Sequence, residues 1–227
     1  MYKLPSLRDL LEAGVHFGHK TARWHPKMKP YIFMAKNGVH VINLEKTEEE
    51  MKQATDFLAK LASEGKKVVF VGTKKQASAI VKQAATDCGM PFVSSRWIGG
   101  TLTNFATVKA AISNFVKTKE QIENEADKLS KKELSKLRDR VAKGEKIFGG
   151  LVSLEKKPDA MIVIGAHDEP NAIREALIEN VPIVAIMDTN SDPTKIDFPI
   201  PANDDATKSI QLFAELFSKV IKENKGR

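Results

Sequence analysis

Four residues of this sequence, His19, Asp188, Asp204 and Asp205, are of the types that hold a divalent cation. One imidazole nitrogen with two or three carboxylate oxygens suits an ion such as zinc. Asp188 closes an apolar strand-like run, and Asp204-Asp205 open the last helix-like run. A parallel sheet gathers such positions at one rim, where His19 joins them if the N-terminal loop folds over it. The same residues also have a plainer use: Asp204 or Asp205 capping the helix, and Asp188 in an Asx-turn. Their spacing matches no metal motif, and both uses stay open.

A second chemistry is contact with a polyanion. Between His16 and Pro30 the cations Lys20, Arg23, Lys27 and Lys29 interleave with His19, Trp24 and His25. Cations meet phosphates and planar groups stack on bases or sugars, which is the pattern of a nucleic-acid contact. Two prolines and a glycine predict no regular structure here. The alternative is an ordinary surface loop with Trp24 tucked onto the core. The stretch Arg96-Trp97-Ile98-Gly99-Gly100-Thr101-Leu102-Thr103-Asn104-Phe105 is the other candidate. Gly99-Gly100 allows close backbone approach or positive φ. Thr101, Thr103 and Asn104 add short polar groups, and Arg96 and Trp97 a cation and a stacking plane. A structural version has a glycine hinge with Trp97 packed against the first helix.

The elements that position these residues follow from periodicity. Ser6 opens a short helix that Gly14 closes. Strands are predicted over 31–35 and 39–44, joined through Asn37-Gly38. Thr47-Glu48-Glu49-Glu50 reads as a capping box opening a helix with Met51, Ala54 and Leu58 inward. The continuous apolar runs 68–72, 160–165 and 183–187 are strands buried on both faces, with a short strand near Phe92. Helices are predicted over 73–88, 169–179 and 204–222, and a loop over 188–201. Alternating βα units with apolar strands predict an α/β fold, a parallel sheet covered by helices.

An arm interrupts this pattern. Phe105, Val108, Ile112, Phe115, Lys119, Ile122, Ala126 and Leu129 recur at spacings of three and four, and so do Leu134, Leu137, Val141, Gly144 and Phe148. Ser130 to Glu133 is a capping box between them. Two such seams bury against each other as an antiparallel coiled-coil hairpin. The division is then a discontinuous α/β domain, 1–102 and 149–227, with a protruding hairpin over 103–148. Lys109, Lys117, Lys131 and Lys136 are basic positions along the arm.

The chain has 227 residues, a formal charge of +7 and a pI near 9.3. Residues 1–46 carry +5, 47–102 carry +2, the hairpin +4 and 151–227 −4. The basic surface is thus polarised toward the N-terminus and the arm, which points to a polyanionic partner. A single cysteine, Cys88, excludes an internal disulfide and suits a reducing compartment. No run reaches the length of a membrane span, and no signal-peptide pattern opens the chain, so a cytoplasmic protein is expected.

Enzyme chemistry lacks its motifs. Val71-Gly72-Thr73-Lys74-Lys75 is neither G-x-G-x-x-G nor a P-loop, and no nucleophile elbow or H-E-x-x-H helix occurs. A nucleotide- or sugar-phosphate-binding enzyme, and an adaptor whose arm binds protein, stand as alternatives to nucleic-acid binding.

With these residues laid out, the chain closely resembles the bacterial small-subunit ribosomal protein S2 family, almost end to end. The motifs are Ala-Gly-Val-His-Phe-Gly-His (13–19), Pro-Lys-Met-Lys-Pro-Tyr-Ile-Phe (26–33), residues 96–105, Asp188-Thr189-Asn190-Ser191-Asp192-Pro193 and Asn203-Asp204-Asp205-Ala206. The resemblance implies a Rossmann-like or flavodoxin-like domain with a coiled-coil hairpin, and a non-enzymatic, structural role on the 30S ribosomal subunit. It implies 16S ribosomal RNA as partner, together with neighbouring small-subunit proteins including ribosomal protein S1, which the globular part helps to anchor. No membrane and no homo-oligomer are expected. Mapped onto this sequence, the RNA contacts are Lys20, Arg23, Trp24, His25, Lys27 and Lys29, then Arg96, Trp97, Gly99, Gly100, Thr101, Thr103 and Asn104. Lys109, Lys117, Lys131 and Lys136 join them on composition alone. No cofactor is required, and the resemblance favours a metal at His19, Asp188, Asp204 and Asp205. The departures are His25 where the family usually has asparagine, Ala202 for a glycine, and Gly165-Ala166-His167 for an acidic-proline turn.

Overall fold

In the computed structural model, which describes residues 3–125 and 130–226, the elements follow the predicted order with two additions. α1 (Leu7–Glu12) is opened by Ser6, whose hydroxyl accepts from the Asp9 amide while the Asp9 carboxylate accepts from the Ser6 amide. β1 (Phe17–Lys20), β2 (Ile32–Lys36) and β3 (Val39–Ile42) form an antiparallel sheet in the order β1-β3-β2. Asn37 and Gly38 join β2 to β3 with positive φ at both, as a two-residue hairpin requires. β1 is the first addition. Residues 16–30 were expected to lack regular structure, yet 17–20 pair with β3, and Thr21–Arg23 and Pro26–Tyr31 are 3-10 turns.

α2 (Leu44–Ser63) starts one turn before the predicted capping box. Asn43 caps it, accepting from the Glu45 amide. Thr47 therefore lies inside the helix, buried, and its hydroxyl donates to the Pro201 carbonyl at 2.6 Å. The chain continues through β4 (Val68–Val71), α3 (Lys75–Cys88), β5 (Phe92–Val93), α4 (Phe105–Glu125), α5 (Lys131–Phe148), β6 (Ala160–Ile164), α6 (Pro170–Ile178), β7 (Ile183–Met187), β8 (Phe198–Pro201) and α7 (Thr207–Asn224). Five parallel strands lie in the order β5-β4-β6-β7-β8. β8 is the second addition, inside the predicted 188–201 loop. Its two prolines sit on the sheet edge, where a missing N–H need not break the ladder.

Successive residues of the buried strands feed opposite faces. Phe70, Ile162, Ile164, Val184 and Ile186 share a core with residues of α2, α3 and α7. Val69, Val71, Met161, Val163, Ala185 and Met187 share the other with Trp97, Leu102, Ile173 of α6 and the start of α4. Helices thus cover both faces of a parallel sheet, a Rossmann-like α/β arrangement.

α4 and α5 pack on each other in opposite order. The Phe115 ring lies against Gly144 and 6.1 Å, centroid to centroid, from Phe148, and Lys119 Nζ is 3.4 Å from a Glu145 carboxylate oxygen. Ser130 and Glu133 make the predicted capping box. Ala126 and Leu129 lie outside the described residues. One expectation needs correcting: the seam of α4 is not buried against α5 alone. Val108 and Ile112 belong to the core beneath the sheet, so the first turns of α4 are part of its cover.

Candidate nucleic-acid interface and cation site

The N-terminal loop is tied to the rim formed by the carboxyl ends of the strands. The His19 amide donates to Asp188 Oδ1 and to Thr189 Oγ1, both at 3.0 Å. His19 Nδ1 stands 2.8 Å from Asp188 Oδ2, and Nε2 stands 3.5 Å from Asp205 Oδ2. The hydrogen bond with Asp188 holds the His19 pKa above its usual value, against the effect of burial. Gly18 permits this approach, since a Cβ there would lie 2.8 Å from the Thr189 methyl.

Lys74, unremarked in the sequence except as part of a failed phosphate loop, completes the rim. Its ammonium lies 2.6 Å from Asp204, 2.9 Å from Asp205 and 3.0 Å from Asp168. Asp204 is fully buried, and burial pushes its pKa up to about 6 while Lys74 pulls it down. The capping roles expected of these aspartates are corrected. The Asn203 side chain accepts from the amides of Asp205 and Ala206, and α7 begins beyond Ala206. Asp188 likewise anchors the loop through the His19 amide.

These residues fit a divalent ion. His19, Asp188 and Asp205 each offer a ligand atom, all within 4.8 Å of one another. Asp204 stands outside that trio, held by Lys74 through Oδ1, while its buried Oδ2 has no hydrogen-bond partner.

Between β4 and β6 the strand order reverses, which is where open α/β sheets bind phosphorylated ligands. Here the groups suited to a phosphate are already engaged. The Thr73 amide, before α3, donates to Glu169 Oε1 at 2.7 Å, and Lys74 is shared by three aspartates. Glu169 is buried, which raises its pKa.

Beyond His19 the basic loop is pinned by three further contacts. The His25 amide donates to the Thr189 carbonyl at 2.7 Å, Lys27 Nζ reaches Asp192 at 3.1 Å and Thr194 at 2.8 Å, and Met28 is buried. Lys20, Arg23 and Lys29 are exposed and, among the described residues, make no ion pair. Trp24 is 36% exposed, its ring 5.3 Å from that of His40. His25 Nδ1 accepts from the Lys27 amide, a bond that an asparagine oxygen can also accept.

In the second candidate stretch Trp97 is only 7% exposed, and its indole N–H donates to Glu175 at 3.1 Å. This corrects its assignment as a stacking plane: the ring is packed inside, against α6 rather than the first helix. Thr101 is buried too, its hydroxyl donating to the Ile98 carbonyl. Arg96, Gly99, Thr103 and Asn104 remain exposed, and Gly100 takes a φ of 91° that favours glycine. On the arm, Lys117, Lys131 and Lys136 are exposed, while Lys109 Nζ donates to the Glu155 carbonyl at 2.7 Å. None of the described helices is long and apolar enough to cross a membrane.

A family model described as Ribosomal protein S2 matches residues 10–224. The chain is 48% identical over 221 residues to a small ribosomal subunit protein uS2 of Petrotoga mobilis, covering 97% of this chain and 77% of that one. It is 45% identical to the uS2 of Trichodesmium erythraeum, covering 97% and 81%. With that of Chloroflexus aurantiacus the identity is 46%, covering 93% and 90%.

Proposed function

The chain belongs to the ribosomal protein S2 family, and from that premise we propose that it is a structural constituent of the small ribosomal subunit, serving translation in the cytoplasm rather than catalysing a reaction. Its partner in this role is 16S ribosomal RNA, met by the basic N-terminal loop, the turn over 96–104 and the α4–α5 arm. The observation that carries the proposal is a loop pinned at His19, His25 and Lys27 that leaves Lys20, Arg23 and Lys29 exposed and unpaired among the described residues. Fixed cations meet phosphates without first giving up a partner or ordering the backbone. Trp24 beside them offers a planar surface, and Arg96, Gly99, Thr103 and Asn104 offer a second patch. Trp97 and Thr101 act from inside, by packing.

Two finer parts rest on the family. Neighbouring small-subunit proteins are partners, ribosomal protein S1 among them, with the globular part helping to anchor it. A divalent ion such as zinc is held at His19, Asp188 and Asp205, where it would neutralise carboxylates and tie the N-terminal loop to the rim.

The experiment is sedimentation of the tagged chain with cell extract at low and high salt. Co-migration with the small subunit at both is the expected result, with S1 retained. Migration as a free 25.1 kDa protein overturns the proposal. Zinc analysis of the same purified fraction tests the ion, and absence of zinc after loading rejects it.

A further inference from the structure

Glu175 lies on the buried face of α6, with Ala172, Ile173 and Ala176, and is 7% exposed. A carboxylate in such a place is costly unless its oxygens are fully bonded. Oε1 accepts from the Trp97 indole at 3.1 Å and the Gly100 amide at 2.8 Å. Oε2 accepts from the Leu102 amide at 2.9 Å and from the amide and hydroxyl of Thr103, each at 3.3 Å. All five donors are neutral and all come from one turn. They converge on the anion as backbone amides converge on a phosphate. Burial pushes the Glu175 carboxyl up, but the donors win and hold it below the usual range.

The turn has two sides. Trp97, Thr101 and Leu102 are buried on the inner one, and Arg96, Gly99 and Asn104 are exposed on the outer. Resting on the RNA-binding function proposed above, we propose that Glu175 is the positioning residue of this turn: it holds the turn's inward amides against α6 and fixes the outward presentation of Arg96, Gly99 and Asn104. The turn then contacts RNA through its outer groups and not through an amide cradle. Glu175 touches no RNA itself.

Glutamine has the same shape, but its NH2 group cannot accept, so at least two of the five donors lose their partner. Glu175→Gln is expected to bind small subunits depleted of this protein about tenfold more weakly, the coupling expected within one bonded network. Affinity is taken per folded molecule, with urea unfolding of both chains alongside. A merely structural role lowers the urea midpoint and leaves that affinity unchanged, which overturns the proposal. In a Trp24→Phe background the Trp97 emission is expected to shift to the red in the Gln variant. Should the Gln variant not fold, Glu175→Asp, which keeps a charged acceptor on a shorter side chain, is measured in the same way: weaker affinity per folded molecule supports the role, and affinity equal to that of the unmutated chain overturns it. Failure of the unmutated chain to bind depleted subunits sinks the RNA-binding function and this role together. That result is distinct from equal binding by the two chains.

Discussion

Lys74 holds three loops together with one ammonium group, since Asp168 follows β6 and Asp204 and Asp205 precede α7. Removing it strands Asp204, which is fully buried and has one oxygen already without a partner. Breaking a buried pair from one side costs about 3–5 kcal/mol, and Lys74→Met is expected to lose that much near neutral pH. The pH dependence follows from Asp204. Its folded pKa of about 6 lies above its ordinary 3.8, and the variant, lacking the cation, raises it further. A carboxyl raised on folding contributes stability below its unfolded pKa, and loses that contribution as pH rises through the folded value. The deficit of Lys74→Met is therefore larger at pH 7 than at pH 4, where Asp204 is protonated in both chains. Urea midpoints across that range check it, and a deficit that does not change with pH contradicts it.

Among the elements, those written in local patterns were legible and those depending on distant partners were not. The three buried strands declare themselves by continuous apolar runs, and the α4 and α5 seams by their three-and-four spacing. β1 has no such signal, because its pairing partner β3 lies about twenty residues on, past the 3-10 turns and β2. β8 was hidden by prolines that an edge strand tolerates. Asn43 outcompeted Thr47 as the cap because Thr47 is drawn inward to Pro201. At the candidate site, His19, Asp188 and Asp205 do meet, whereas Lys74 and Glu175 went unnoticed, since their roles depend on groups more than seventy residues away. The α4–α5 contact yields its own prediction. A mid-helix glycine changed to alanine ordinarily gains about 0.8–1 kcal/mol. At Gly144, however, a Cβ would lie 2.5 Å from the ring of Phe115, itself buried. Gly144→Ala is expected to destabilise the pair by about 1–3 kcal/mol, as overpacking does. Amide exchange should quicken in α5 and leave the sheet unchanged, and slower exchange in α5 would show that the helices do not meet there.

For the whole molecule, folding brings the basic N-terminal loop against acids of the last segment and still leaves cations over. Residues 151–227 carry −4, but much of their acid is consumed internally: Asp192 by Lys27, Asp204 and Asp205 by Lys74, and Glu179 by Lys157. Lys20, Arg23 and Lys29 have no such partner among the described residues and remain free to displace counter-ions from a polyanion. Each phosphate contact adds about 0.7–0.9 to the slope of log affinity against log salt. Changing Lys20, Arg23 and Lys29 together to Gln should lower that slope by roughly two to three for binding to depleted small subunits. Stability should stay within about 0.5 kcal/mol, because the three exposed side chains make no ion pair or hydrogen bond among the described residues. Lys27→Gln is the opposite case. Its ammonium is engaged with Asp192 and Thr194, so the slope should barely move while the loop loosens. An unchanged slope in the triple variant removes the N-terminal loop from the RNA interface and leaves the arm and the 96–104 turn to carry it. A reduced slope with unchanged stability puts the loop's cations on phosphates, because a loss of fold would have moved both.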